Sequence, residues 1–205
     1  MTQKLDAAPW MAASFAAALL LATIVLALMG ADPHGTVAAL RATGRLSYVL
    51  FWPAYAGGSL AKLFGPRLAP IARRARCFGL AFAAAHLVHV GLVVWLYRIS
   101  PRPPLSETMF WLFTIAIAWT YLLALLSVAR LADAVGRGRS RFLRTVGIEY
   151  IAFAFALDFV ITPLRFGVRQ PLEYLPFALL AVAGPILRIA ALARHLQLDH
   201  RAASL

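Results

Sequence analysis

Long apolar runs separated by short polar stretches set the pattern of this chain. The runs fall at about 11–30, 47–65, 77–97, 109–128, 146–164 and 175–193. Each is close to the roughly 20 residues that a helix needs to cross the hydrocarbon core of a bilayer. The pattern predicts an all-α integral membrane protein, a bundle of six transmembrane helices in one domain. The spans and their short connections use nearly all of residues 1–205, so no sizeable soluble domain is expected. Met11–Gly30, preceded by Lys4, has the outline of a secretory signal. Its length exceeds the ~7–15 residues of a signal's apolar region, so it is expected to be a retained helix. The stretch Ala31–Arg45, with His34, is expected to be the first outer loop.

Composition agrees with this pattern. Hydrophobic residues make up 62% of the chain and charged residues 14%, with a mean hydropathy of +0.77. Soluble domains carry about 45–50% and about 25%. Charge then adds orientation. Fourteen Lys and Arg fall at the termini and in the second and fourth loops, among them Lys62, Arg73, Arg74, Arg76, Arg139 and Arg144. Only six fall on the other side: Arg41, Arg45, Arg98, Arg102, Arg165 and Arg169. Lys and Arg favour the cytoplasmic side, which puts both termini in the cytoplasm and the protein in the cell's inner (plasma) membrane. The net charge of +12 expresses this bias and an attraction to anionic lipid; no nucleic-acid partner is expected. Cys77 is the only cysteine, so no internal disulfide can form.

The chemistry concentrates in Arg73–Arg98, an apolar span with a basic foot and two histidines, His86 and His89. Ionisable groups at membrane depth are functional candidates by default. At 100° per residue the two lie about 60° apart, on one broad face with Gly79 and Ala83. Small residues there let another helix or a flat ligand come close. Asp158 lies deep in the fifth span and needs a partner, which His86, His89, Arg165 or Arg169 could supply. Glu149 is nine residues away and so points to the opposite face. Pro53 with Gly57 and Gly58 predicts a kink or a widened pocket in the second span, and Gly184–Pro185 a break in the sixth. No dinucleotide fold signature, phosphate-binding loop, HExxH or CxxC occurs.

Three stretches together resemble the ferric reductase-like transmembrane domain superfamily, nearest to the haem-binding membrane subunits of bacterial methionine sulfoxide reductase systems. They are TGRLSYVLFWPAY, the Arg73–Arg74 pair with Gly79–Leu80 ahead of a histidine, and LLALLSVARLADAVGRGRSRFLR. The likeness covers roughly residues 43–195. It implies a b-type haem and transmembrane electron transfer, from a quinol or separate flavoprotein to a partner reductase. The chain would then be the electron-transfer subunit of an oxidoreductase.

The resemblance places the third-helix haem ligand at His89, with His86 an extra histidine one turn earlier. The family's fifth-helix histidines fall here at Thr145 and Asp158. His86 and His89 share one helix face, so at most one of them can bind a given iron. Met and Tyr also ligate haem iron, which makes Met109, Tyr121 and Tyr150 secondary candidates. Two readings stand beside this one. The chain could be a haem-free membrane scaffold or interaction subunit, or a small transporter or metal site built from His86, His89 and Asp158. A homo-oligomer is compatible with each.

Overall fold

A computed structural model describes residues 6–128, 136–161, 163 and 171–203. Among the described residues every regular element is helical. The long helices are α1 (Ala8–Met29), α2 (Pro33–Phe64), α4 (Ala75–Ile99), α5 (Glu107–Val128), α6 (Arg137–Ala156) and α7 (Pro171–Ala203). A 3-10 turn, Pro66–Leu68, and the short helix α3 (Ala69–Arg73) join α2 to α4. Among the described residues, four helices are long and apolar enough to cross a membrane: α1, α4, and the segments Glu107–Ser127 and Glu173–Gln197.

Helix α2 starts far earlier than its apolar run. The stretch expected to be an outer loop, Ala31–Arg45, is helical from Pro33 onward, so His34 lies in a first turn. The cause is local. Asp32 caps the helix, its Oδ1 accepting from the Gly35 N–H at 2.8 Å, and Pro33 supplies a preset φ at the first helical position. Helix α6 likewise begins at Arg137, after Gly136 with φ 88°, so Arg139, Arg141 and Arg144 sit on its first turns. Its last turn widens into a π-helical turn, Leu157–Ile161, which carries Asp158.

Helix α2 is the centre of the bundle, packed against α1, α4 and α7, while α5 pairs with α6. The α1–α2–α4 seam is made of small residues: Ala18 and Ala22 of α1, Ala39 and Thr43 of α2, and Ala81 and Ala85 of α4 are all buried. Small side chains allow close backbone approach where apolar lipid offers no drive to association. Ser14 Oγ donates across this seam to the Ala81 carbonyl at 2.9 Å. The other side of α2 faces an aromatic core of Tyr48, Phe51, Tyr55, Phe82 and Phe159. Large exposed hydrophobics such as Leu20, Leu28, Leu179 and Ile189 cover the outer faces of α1 and α7, as expected of surface turned to lipid.

The α5–α6 pair closes over Gly147. A Cβ there would lie 2.6 Å from Trp119 Cε3 and 3.1 Å from Leu123 Cδ1. Gly147→Val is therefore expected to cost about 1–3 kcal/mol through overpacking. Gly138→Ala, with nothing within 4 Å, should leave stability unchanged or raise it by about 0.5–1 kcal/mol. Thermal unfolding of the detergent-solubilised variants checks both; equal melting temperatures would refute the tight α5–α6 contact.

Candidate functional site

The site grows from the antiparallel register of α2 and α4. Thr43 and Gly44 of α2 meet His89, Phe51 meets Phe82 at 5.3 Å between ring centroids, and Ala54 meets Gly79. In that register Ser47 lies level with His86 and Tyr48 with Ala85.

His89 is held on α2 by its inner nitrogen. Thr43 Oγ1 lies 3.1 Å from His89 Nδ1. The same hydroxyl lies 2.9 Å from the Ala39 carbonyl, one turn back in its own helix. A hydroxyl has one proton. With that proton on the Ala39 carbonyl, the oxygen accepts from His89, so Nδ1 carries the hydrogen and Nε2 keeps a free lone pair. Gly44 faces the same ring: a Cβ there would stand in ordinary contact, 3.4 Å from His89 Cε1.

His86 stacks on His89 with ring centroids 5.0 Å apart and planes 14° from parallel. Phe82 follows at 5.3 Å from His86, and Phe51, Phe155 and Tyr48 continue the aromatic core. His86 Nδ1 is buried without a hydrogen-bond partner, and so is Ser47 Oγ. Unpaired buried polar atoms are uncommon and costly. Here two of them occupy one level of facing helices, next to the Thr43–His89 pair.

This geometry limits what the histidines can ligate. Two stacked imidazoles on one helix cannot take opposite faces of one haem iron, so a two-histidine haem does not fit them. Neither of the two described clefts is lined by His86 or His89, but His89 has the support that a single ligating histidine would use. A ligating histidine is ordinarily fixed by a hydrogen bond at its other nitrogen, which is the role Thr43 fills.

The remaining candidates lie elsewhere. Asp158 lies on the π turn, and the charges that act on it are Arg41 and Arg45 of α2, not either histidine. Arg165 and Arg169 lie outside the described residues. Among the described residues no three His, Cys, Asp or Glu side chains gather as they would around a metal ion. The Tyr150 hydroxyl donates to the Leu112 carbonyl at 3.2 Å. The Tyr121 hydroxyl is buried and unpaired. Met109 opens α5, its N–H directed to Ser106 Oγ. Thr145 is exposed and donates to the Arg141 carbonyl. Arg73 and Arg74 are exposed at the α3–α4 joint.

Sequence reasoning missed Thr43, Gly44 and Ser47. Their signal was present: Thr36, Thr43 and Ser47 recur at seven- and four-residue spacing on one helical face, all fully buried. It shows only when the helix is begun at Pro33. Comparison of the chain with protein-family models, with curated proteins and with solved structures found no match.

Proposed function

We propose that the chain is a membrane protein of six spans, with both termini and the arginine-rich end of the bundle at the cytoplasmic face of the inner membrane. In this reading it is an electron-transfer subunit carrying one b-type haem on His89. A quinol or a separate flavoprotein would be the donor, and a partner reductase the acceptor. The length of α2 and of α6 with its π turn supports the count of six. The observation that carries the haem reading is the hold on His89: Thr43 takes Nδ1 at 3.1 Å and leaves Nε2 free for a metal.

A bound haem supplies one-electron redox chemistry. This chain's part would be to present His89 Nε2 and to fix its tautomer through Thr43, with the His86 ring stacked against it.

A haem-free scaffold is the second reading, favoured by one observation. Gly44 packs against one part of the His89 ring and His86 covers another, so protein already fills much of the space around it. Absorption spectra of the purified protein, oxidised and dithionite-reduced, separate the two. A Soret band that shifts and sharpens on reduction is expected. A featureless spectrum from cells supplied with haem would move the reading to the scaffold.

A further inference from the structure

A second feature lies at the arginine-rich end of the bundle, away from the histidines. Between α2 and α4 on one side and α5 and α6 on the other is a cleft of about 250 Å³. Its walls are apolar, formed by Leu80, Phe82 and Leu123 among others, and Arg76 and Arg144 also line it. An Arg76 Nη donates to the Ser127 carbonyl at 2.8 Å, and an Arg144 Nη to the Leu126 carbonyl at 3.0 Å. These are neighbouring carbonyls in the last turn of α5, where the helix itself leaves acceptors unsatisfied. Both guanidiniums are thus anchored on adjacent carbonyls at the end of α5, at the rim of one cleft.

Each guanidinium has five N–H donors in a fork. The bonds to α5, and one from Arg144 Nε to Ser140 Oγ, use a minority of them. Neither arginine forms an ion pair among the described residues, whose two salt bridges are Arg45–Glu173 and Arg188–Glu149. Paired cations without a counter-charge attract an anion, and a guanidinium fork matches phosphate oxygens. The cleft adjoining them is greasy, so the complementary molecule has an anionic head and an apolar tail.

We propose that this cleft binds an anionic phospholipid, with its phosphate between Arg76 and Arg144 and part of one acyl chain along Leu80, Phe82 and Leu123. The site is independent of any haem on His89.

The test uses the full-length protein in a neutral detergent. Its melting temperature is followed while phosphatidylglycerol, phosphatidylcholine or inorganic phosphate is added. Phosphatidylglycerol should raise the melting temperature saturably, and the other two should not. Arg76→Gln with Arg144→Gln should weaken the apparent affinity about 10- to 30-fold, from roughly 1 kcal/mol per basic residue near an anionic membrane surface. Ala124→Phe fills the cleft and keeps both arginines, so it should weaken the same response. It also decides the matter if the double variant fails to fold. A phosphatidylglycerol response unchanged by Ala124→Phe, or one reproduced by inorganic phosphate, would overturn the proposal.

Discussion

His89→Ala should remove haem absorbance from the purified protein, whereas His86→Ala should leave the Soret band in place. The asymmetry follows from how the rings are held. His89 has its Nδ1 tied to Thr43 and its ring fixed on α2, so its Nε2 lone pair has one direction. His86 Nδ1 has no hydrogen-bond partner, so it lacks the support that Thr43 gives His89. Thr43→Val keeps the shape of the side chain and removes the acceptor. Loss of such a supporting partner lowers metal affinity by about 10- to 100-fold, so haem should titrate in more weakly and be lost on dilution. Thr43→Ser restores the oxygen and should restore the affinity. That rescue separates a ligand-orienting role from a purely structural one, because both variants alter the packing. Haem content unchanged in both His→Ala variants would eliminate the assignment to this helix.

What the sequence made legible, and what it did not, follows from the range of the interactions. The apolar runs announced helices because apolar composition and length are local properties, and the ends of α4 and α5 fall within about two residues of the expected ones. The start of α2 was missed because Pro33–Arg45 carries Arg41, Arg45 and several small polar residues. It is held as helix by a cap at Asp32 and by tight contact with α1 and α4. Hydropathy sees neither. The shared face of His86 and His89 was legible from 3.6-residue periodicity. Their partner Thr43 was not, because it depends on the register of an antiparallel helix 46 residues away in sequence. Asp158 shows the same limit. Its depth in an apolar run pointed to the histidines or to Arg165 and Arg169 as partners, but the π turn sets it where Arg41 and Arg45 of α2 are the charges that act on it.

Arg188→Leu should destabilise the bundle by about 2–3 kcal/mol, while Glu149→Leu with Arg188→Leu together should cost less than about 1 kcal/mol. Arg188 Nε meets Glu149 Oε1 at 2.7 Å, and the Tyr55 hydroxyl donates to Glu149 Oε2 at 2.8 Å. Arg188 also donates to the Tyr55 carbonyl at 3.2 Å and lies 4.8 Å above the Tyr55 ring. One polar node thereby joins α2, α6 and α7. The side chains are 31% and 46% accessible, and in water a pair so exposed would contribute at most about 1 kcal/mol. The node, however, sits between the Trp52–Leu180 hydrogen bond and the Arg194 bonds to the last turn of α2. In a spanning bundle its accessible surface there meets lipid. A charge left alone at membrane depth costs roughly 2.5–3.5 kcal/mol at the centre, discounted here because the node lies toward one end. Removing one partner strands the other, whereas removing both strands neither and exchanges polar surface for apolar. Unfolding of the two single variants and the double variant in mixed micelles gives the coupling directly, with about 2 kcal/mol expected. Single-variant losses that are each below about 0.5 kcal/mol and simply add would mean that water, not lipid, surrounds this node, and would place this level of α2 outside the membrane.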